Sequence, residues 1–543
     1  MSALAEPKTP PAIRPASKMV PERWTTVLLF AGSCLYLLAF LNVVNMEPDE
    51  GIVLAGAQRI LEGQIPYRDF FSFYTPGSFY VTALLFKVFG SSIVVARGAL
   101  VFFGASFAAV TYVLARRTCS QAIALLVGIL VAMTAVPYRF LVLHNWDSTF
   151  WACLATYSAV RWLESSRGRW AFATGIFASL IFLSEQSKGA GLYLGLFIAL
   201  LIFAVSGEKI AKVRVFVSGA LCPLILTFTY FGSRHAISSM FSAWVWPLRH
   251  YSAANRVPFG YQNWSDDARE MLFHTGTFGI RAVKWLAVSP GFVVPVLPLI
   301  AAGLLVYWTI QLRRKRDPTA AHRVLICSLI CGLLVSVVVV RADIIHFMYL
   351  APLFYLVLAW ILDAQGLNGG VIKLITPCLR AYVVFAFGLM AAALLISALG
   401  AHAQLETHRG AIRSRDKDFV IEYLQNHTPT GERVLVYPYL PLYYYLTAVR
   451  SSSPYDFFQP GMNTPEQAQE IIHSLQSDEV RTVLFESSFI EKAPISWPGT
   501  PLSAIVRDPV ADYIVHNYKV CRSLRSAAGW KFLYMLRKDQ RCP

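Results

Sequence analysis

The chain has 543 residues, of which 56% are hydrophobic and only 15% carry a charge. Its mean hydropathy of +0.49 is too high for a soluble protein of several domains, so the composition indicates an integral membrane protein. The net charge of +16 does not point to nucleic acid, because much of the Lys and Arg lies in short loops between apolar runs, where the positive-inside rule places it in the cytoplasm.

Long apolar runs recur through the first 400 residues, and each approaches the roughly 20 residues that cross a bilayer. Residues 1–24 carry four basic residues and lack a small-residue cleavage site, so we predict an uncleaved cytoplasmic segment. About eleven spans follow within residues 25–399. The predicted spans are 25–44, 92–115, 121–136, 149–160, 170–183, 192–205, 215–231, 288–312, 324–340, 348–362 and 381–399.

This arrangement leaves three outer loops, at 45–91, 137–148 and 232–287, with a short juxtamembrane helix predicted over 77–90. An odd number of spans that starts in the cytoplasm places the tail, residues 400–543, outside. One observation opposes this topology, because the third outer loop holds more basic residues than any inner loop. Loops of about 60 residues follow the charge rule weakly, so we keep the topology and expect a multi-pass protein of a bacterial inner membrane with a periplasmic tail.

The tail loses the long apolar runs and alternates two kinds of pattern. Helical periodicity covers 416–426 and 465–475, and short β-branched or aromatic runs cover 433–437, 480–485 and 530–536. The tail is therefore predicted to be an α/β domain. Seven of the nine cysteines lie in or beside apolar runs without metal-ligand spacing, whereas Cys521 and Cys542 lie in the tail. Export to an oxidising compartment would allow these two to pair, but the sequence leaves the disulfide open.

The segment Pro48-Asp49-Glu50-Gly51 directly follows the first predicted span. It continues with Gly63, with Pro66-Tyr67-Arg68-Asp69-Phe70, with Tyr74 and with Pro76-Gly77. An acidic pair at this point has an ordinary structural explanation, because Asp and Glu are favoured at helix N-termini by the helix dipole. The order and spacing of the whole segment favour a more specific explanation.

This segment resembles the first outer loop of the GT-C superfamily of integral membrane glycosyltransferases, in particular the bacterial branch related to protein O-mannosyltransferases and the lipid A aminoarabinose transferase. Those enzymes have an acidic pair after the first span, then an amphipathic helix, a G-x-x-P-Y segment and a Pro-Gly or Pro-Pro turn. The resemblance implies a GT-C transmembrane domain that moves a hexose or pentose, with inversion, from a polyprenyl-phosphate donor to a glycan, lipid or protein acceptor on the periplasmic face.

Carried over by position, Asp49 would be the general base that removes the acceptor hydroxyl proton, and Glu50 would orient the acceptor or its neighbour. Asp147 in the second outer loop would face Asp49 and contact the acceptor or a metal, with an N-cap as the equally weighted alternative. No cofactor is assigned, and a divalent metal is left open. The nearby His144 is more simply explained as a packed histidine than as a ligand.

A lipid-phosphate leaving group needs fixed positive charge at the outer headgroup level. Two turns between predicted spans supply it. Lys188 lies in Ser184-Glu185-Gln186-Ser187-Lys188-Gly189, and Arg341 and His346 lie in Arg341-Ala342-Asp343-Ile344-Ile345-His346, where Asp343 would orient either cation. Related bacterial sequences have a similar R-x-D-x-x-H turn. Snorkelling of Arg341 to ordinary lipid headgroups is the alternative.

Aromatic and basic residues in the outer loops are the remaining substrate-binding candidates, because aromatic faces suit sugar rings and bases suit phosphates. The same composition describes an interfacial aromatic belt, which is the alternative. These candidates are Tyr67, Asp69, Tyr74, His144, Arg249 and Tyr251.

Two rival functions are a non-enzymatic lipid or glycan transporter or flippase, and a ligase or polymerase of lipid-linked glycans. A transporter is expected to show paired halves with corresponding Gly or Pro interruptions, and the sequence shows no such pairing. A ligase or polymerase uses the same donor chemistry, so the residues do not exclude it.

Overall fold

A computed structural model describes residues 22–208, 211–364, 370–456, 458, 464–477, 480–500, 503 and 507–543. Most of the predicted cytoplasmic segment, residues 1–21, lies outside this range. The described chain is a large helical region followed by an α/β region, so the predicted fold class is confirmed.

The described residues between 22 and 399 are mostly helical. A bilayer offers no water to bond backbone N–H and C=O groups, and an apolar segment that forms a helix bonds these groups to one another. The helices, in chain order, are α1 (Glu22–Leu37, followed by a 3₁₀ turn Leu38–Phe40), α2 (Pro48–Leu61), α3 (Gly77–Phe89), α4 (Ile93–Ala115), α5 (Gln121–Tyr138), α6 (His144–Ser165), α7 (Gly168–Ser184), α8 (Gln186–Val205), α9 (Val213–Ser233), α10 (Ile237–Trp246), α11 (Ser252–Asn255), α12 (Asp266–Arg269), α13 (Phe278–Val288), α14 (Pro290–Val293), α15 (Val296–Arg313), α16 (Ala320–Val340), α17 (Ile344–Tyr349), α18 (Ala351–Asp363) and α19 (Gly370–Leu399).

Within the described residues, eight helices are long and apolar enough to cross a membrane, namely α1, α4, α5, α8, α9, α15, α16 and α19. The other three predicted spans coincide with α6, α7 and α18. Helices α7 and α18 are apolar but shorter, and α6 is long but more polar. The count of eleven crossings therefore stays a prediction, while a helix is present at each predicted span and α3 lies at the predicted juxtamembrane position.

The turn predicted over 184–191 is much shorter in the structure. Only Glu185, with an extended backbone, separates α7 from α8. Helix α8 then packs tightly against α16, where a Cβ atom on Gly332 would lie 2.0 Å from the carbonyl oxygen of Gly191. Small residues allow this close approach of two backbones. The packing brings the beginning of α8 to the end of α16, and so places two of the predicted cationic turns at the same end of the bundle.

The described residues of the α/β region form seven strands in two sheets. They are β1 (Ala403–Thr407), β2 (Gly410–Ser414), β3 (Arg433–Tyr437), β4 (Arg450–Ser451), β5 (Thr482–Glu486), β6 (Tyr518–Arg525) and β7 (Lys531–Arg537). β1 and β2 form an antiparallel pair, and the other five form a sheet in the order β4-β3-β5-β7-β6, in which β3 is parallel to β4 and β5 while β7 is antiparallel to β5 and β6.

The described part of this region also contains five helices: α20 (Phe419–His427), α21 (Leu442–Leu446), α22 (Pro465–Ser477), α23 (Phe489–Ser496) and α24 (Pro509–Asn517). The three predicted strands and two predicted helices are all present within a few residues. β1, β2, β4 and β6 were not predicted, and β6 carries three basic residues among its eight. Cys521 and Cys542 form a disulfide, and the other seven cysteines are free.

Candidate active site

The acidic segment after the first helix forms the N-terminus of α2. Glu47 is the N-cap with an extended backbone, Pro48 occupies the first helical position, and Asp49 and Glu50 lie in the first turn. Proline suits that position because its missing N–H is not needed there, and carboxylates in the first turn are stabilised by the helix dipole. The position of Asp49 and Glu50 in the chain is therefore explained by the preference for carboxylates at a helix N-terminus. Their two side chains have different surroundings.

The Glu50 side chain is completely buried in an ion pair with Arg97 of α4. Arg97 donates from Nε to Oε1 at 2.9 Å and from Nη2 to Oε2 at 2.6 Å, and the Val142 amide donates to Oε1 at 3.1 Å. Arg97 also donates to the Val43 carbonyl. Both carboxylate oxygens are thus occupied, and Glu50 joins the beginning of α2 to α4 and to the chain that follows α5.

Asp49 has a different environment, because its side chain is 38% exposed. Its Oδ2 accepts a hydrogen bond from Nη2 of Arg139 at 3.1 Å, and Oε2 of Glu47 accepts from the same nitrogen at 3.1 Å. Arg139 follows α5 in the second predicted outer loop. The structure therefore presents an accessible carboxylate that Arg139 holds through Oδ2, and its Oδ1 is within reach of an incoming group.

Lys188, in the first turn of α8, is buried in a second ion pair. Its Nζ lies 2.9 Å from Glu185 and donates to the Asn145 carbonyl and the Ser148 hydroxyl, each at 3.2 Å. Glu185 also accepts from the Asn145 amide at 3.2 Å and from Ser148 at 2.9 Å. The cation predicted to meet a phosphate is therefore compensated by a carboxylate within the protein.

The turn between α16 and α17 holds the other predicted cations. Asp343 caps α17 by accepting from the His346 amide at 2.9 Å, and it also contacts His346 Nδ1 at 2.6 Å and Arg341 Nε at 2.5 Å. Burial alone would raise the pKa of Asp343, but the neighbouring His346 and Arg341 hold it well below its usual value. This carboxylate therefore stays ionised and contacts the side chains of both Arg341 and His346, whose role at a donor phosphate stays a prediction.

Arg341 is almost fully used by these contacts. Its guanidinium also donates to Oδ1 of Asn255 at 2.8 Å, to Oδ1 of Asn263 at 3.2 Å and to the Ser496 carbonyl of α23 at 2.7 Å. His346 is 23% exposed, and its Nε2 has no hydrogen-bond partner among the residues that the structure describes. The accessible edge of this turn is therefore the imidazole of His346.

These elements share one neighbourhood. Arg139 interacts electrostatically with Asp49 and Asp343, and His144 interacts with Asp49, Lys188 and His346. Tyr349 lies beside these residues. Its ring centroid is 4.9 Å from that of Trp146 and 5.3 Å from Nζ of Lys188. The structure thus brings the predicted catalytic and donor-binding residues to one end of the helical bundle.

Asp147 lies beside this cluster in the first turn of α6, on a side chain that is almost fully buried. Its closest polar interaction is with the Ser78 hydroxyl, yet neither Ser78 Oγ nor Asp147 Oδ2 completes a hydrogen bond within the described part of the chain. His144 is partly buried and stacks on Tyr74, with ring centroids 4.0 Å apart. The predicted N-cap bond of Asp147 is absent, because α6 begins earlier, at His144.

The other predicted substrate-binding residues lie outside this cluster. Tyr67 is buried, donates to the Tyr74 carbonyl at 2.7 Å and accepts from Trp244 at 3.1 Å. Asp69 accepts from the Ile65 amide at 2.7 Å and pairs with Arg68, which lowers the pKa of Asp69. Arg249 is exposed on a π-helical turn, and the side chain of Tyr251 lies outside the described residues. Tyr67 and Asp69 therefore hold the first outer loop together in this conformation.

The sequence leaves open whether the protein binds a divalent metal. No group of three or more His, Cys, Asp or Glu residues that could hold a metal ion occurs in the described ranges.

Part of the chain is similar to a known protein family, and the whole fold is similar to a solved structure. Residues 74–231 match the model of the dolichyl-phosphate-mannose-protein mannosyltransferase family, a stretch that runs from Tyr74 to the end of α9 and includes Asp147 and Lys188. The structure of ArnT from Cupriavidus metallidurans bound to undecaprenyl phosphate superposes with a TM-score of 0.53 at 13% identity, over 95% of this chain and 98% of that one. The protein has the GT-C fold.

A second protein of GT-C fold, the Archaeoglobus fulgidus oligosaccharyltransferase tethered with an acceptor peptide, gives a TM-score of 0.49 at 10% identity, over 94% of this chain and 74% of that one. No curated protein sequence matches the chain. The ArnT superposition confirms, for the fold and over nearly the whole chain, the GT-C resemblance that the sequence concentrates in residues 49–97.

Proposed function

We propose that this GT-C protein is a membrane glycosyltransferase that moves a sugar from a polyprenyl-phosphate donor to an acceptor hydroxyl at the outer face of the membrane, with Asp49 as the general base. The observation that carries the proposal is the contrast between two adjacent carboxylates. Glu50 is enclosed in its pair with Arg97, whereas Asp49 keeps a side chain that is 38% exposed beside Arg139. The presence of undecaprenyl phosphate in the ArnT structure of the same fold supports the donor class.

In the proposed reaction Asp49 takes the proton of the acceptor hydroxyl as its oxygen forms a bond to the anomeric carbon. The bond from that carbon to the phosphate oxygen breaks, and the electron pair leaves with the polyprenyl phosphate. Attack from the side opposite the leaving group inverts the anomeric centre. Arg139 holds Asp49 through Oδ2 and leaves Oδ1 for the proton. A positioned base of this kind contributes about 10²–10⁴-fold to a rate.

The donor phosphate is proposed to lie at the turn that contains His346, with Asp343 orienting the imidazole. Lys188 and Arg341 are held by Glu185 and Asp343, so in this conformation they would act on the phosphate through their positive field rather than as free donors. His346 Nε2 faces away from Asp343, and because Nδ1–H is directed at that carboxylate, Nε2 donates to a phosphate only when the imidazole carries both protons. Growing negative charge on the leaving phosphate is stabilised by such fixed donors.

Replacement of His346 by Ala should therefore weaken donor binding by about tenfold or more, because one hydrogen bond to a charged phosphate is lost. The change should affect folding little, since the side chain is partly exposed. Binding of a short-chain polyprenyl phosphate to purified protein, measured by calorimetry, checks this. Unchanged affinity would remove His346 from the donor site.

The outer-face assignment has support from the cysteines. The disulfide lies in the α/β region, whereas the seven free cysteines lie in the helical region. Disulfides persist in oxidising compartments and are rare in the cytosol. We therefore propose that the α/β region is periplasmic, as the span count predicts.

Two measurements should agree on this topology. A reporter that is active only after export should be active when fused to the C-terminus. A thiol-reactive reagent of high mass, applied to the denatured, unreduced protein, should label seven cysteines rather than nine. A reporter that works only in the cytoplasm, or labelling of all nine thiols, would place the α/β region on the other side.

The experiment that tests the function as a whole is extraction of lipids from the purified protein, with mass analysis of any polyprenyl-phosphate sugar. Transfer of that sugar to added acceptors then separates an enzyme from a transporter. A bound polyprenyl-phosphate sugar without transfer to glycan, lipid or protein acceptors would favour the transporter.

A further inference from the structure

Helix α2 carries Asp49 in its first turn and Arg59 in its last turn. Ten residues separate them, which at 1.5 Å per residue is about 15 Å along the helix axis. Only the first of these ends belongs to the candidate active site. The other end contacts the α/β region, so the position of Asp49 depends on contacts at both ends of one rigid element.

Arg59 is joined to the segment that follows β4. Its Nη1 lies 2.7 Å from Oδ1 of Asp456 and 3.2 Å from the Ser453 carbonyl, in an ion pair whose side chains are 12% and 9% exposed. Its Nε donates to Gln64 at 2.6 Å, and its guanidinium stacks over Phe70 at 4.7 Å. The Arg59 guanidinium is thus held by groups from both regions of the protein.

A second contact fixes α2 near its N-terminus, at Gly51. A Cβ atom on Gly51 would lie 2.1 Å from the backbone nitrogen of Leu442, so α2 and α21 touch at their backbones. Helix α21 is in turn joined to the central sheet, because the Tyr444 hydroxyl accepts from the Val436 amide of β3 at 2.7 Å. The sheet, α21 and α2 therefore form a continuous packed connection that ends two residues from Asp49.

Beside the ion pair the packing is incomplete. A cavity of about 180 Å³ lies between the end of α2 and the α/β region, with Glu62, Arg433 and Arg450 among its lining residues. Arg450 and Glu62 form a more exposed pair at 3.1 Å on the same cavity. The end of α2 thus has space into which it can shift, and the largely buried Arg59–Asp456 ion pair opposes the shift.

We infer that Arg59 is a positioning residue: its ion pair with Asp456 allows the α/β region to hold α2, and with it Asp49, in the orientation that sugar transfer needs. This inference rests on the proposed function for its consequence on rate. Its structural part, that the pair fixes α2, can be measured without any substrate.

The test uses the full-length protein with Arg59→Gln, Asp456→Asn and the double variant. Each single variant should lower kcat about tenfold and leave the KM for a short-chain polyprenyl-phosphate sugar within twofold, because the cationic turns of the donor site lie on α8 and α17 rather than on α2. Both changes remove one shared contact, so the double variant should fall no further than either single one. Additive losses, or a rise in KM that accounts for the whole effect, would overturn the inference.

Hydrogen exchange supplies the readout that does not depend on activity. Peptides covering 48–61 should exchange faster in Arg59→Gln, while peptides from α16 should be unchanged. The matched control is Arg450→Gln, which removes the exposed pair on the same cavity and should leave both rate and exchange as in the original protein. Normal exchange across α2 in Arg59→Gln would refute the inference. If the original protein shows no transfer, the proposed function fails, and the exchange result still decides whether the pair fixes α2.

Discussion

Replacement of Asp49 by Asn is expected to lower the rate of sugar transfer by about 10²–10⁴-fold, while the protein stays folded and still binds its lipid donor. The amide keeps the size of the side chain and can still accept from Arg139, but it cannot take the acceptor proton. The first turn of α2 loses little stability, because the carboxylate is partly exposed and its ion pair with Arg139 is of a kind worth about 0–1 kcal/mol. Transfer from a synthetic short-chain polyprenyl-phosphate sugar is the measurement.

The chain offers a matched control two residues earlier, at the N-cap of α2. Glu47 contacts the same nitrogen of Arg139 at the same 3.1 Å, and its side chain is 37% exposed. Glu47→Gln therefore removes an equal charge from Arg139 and should change the rate by less than about threefold, the range of a weak exposed pair. Near-normal turnover by Asp49→Asn would remove the central claim, and a large loss in Glu47→Gln alone would transfer the role of base to Glu47.

The helical architecture could be predicted because membrane-spanning helices depend on local composition. Each predicted span coincides with a helix, since a long apolar run has few alternatives in a bilayer. Helix starts were less predictable. α6 and α8 begin five and six residues before the predicted spans, because polar residues at their N-termini are buried against neighbouring helices rather than exposed in loops.

The candidate site could be predicted only in part, because its residues pair across the sequence. Asp49, Lys188 and the turn from Arg341 to His346 were identified from local order and spacing. Arg139, which contacts Asp49 over 90 residues of sequence, was missed because a single Arg in a loop resembles many others.

Two further signals were present in the sequence and went unused. Arg97 stands alone in an apolar span, where an ionisable residue is expected to have a specific partner, and that partner is Glu50. Glu185 precedes Lys188 by three residues, a spacing that allows an ion pair within one helical turn.

The second large effect is expected at the neighbour of Asp49. Glu50→Gln should lower the free energy of unfolding by about 3–5 kcal/mol, because it leaves Arg97 as a buried charge without a counterion. The sequence resemblance assigned Glu50 to orienting the acceptor or the neighbouring Asp49, and a mild effect on rate would follow if it only orients Asp49. The geometry instead assigns it to holding α2 against α4, since both of its oxygens are bonded and neither side chain of the pair is exposed.

Unfolding of the detergent-solubilised protein, followed by circular dichroism, measures this effect. The control is the double variant Glu50→Gln with Arg97→Gln, which removes both charges and should be no less stable than either single variant, because the uncompensated charge is the main cost. A stable but inactive Glu50→Gln protein would instead show that Glu50 contacts the acceptor. The two adjacent carboxylates should therefore have distinguishable effects. Asp49→Asn should lower the rate of sugar transfer at nearly constant stability, whereas Glu50→Gln should lower the free energy of unfolding.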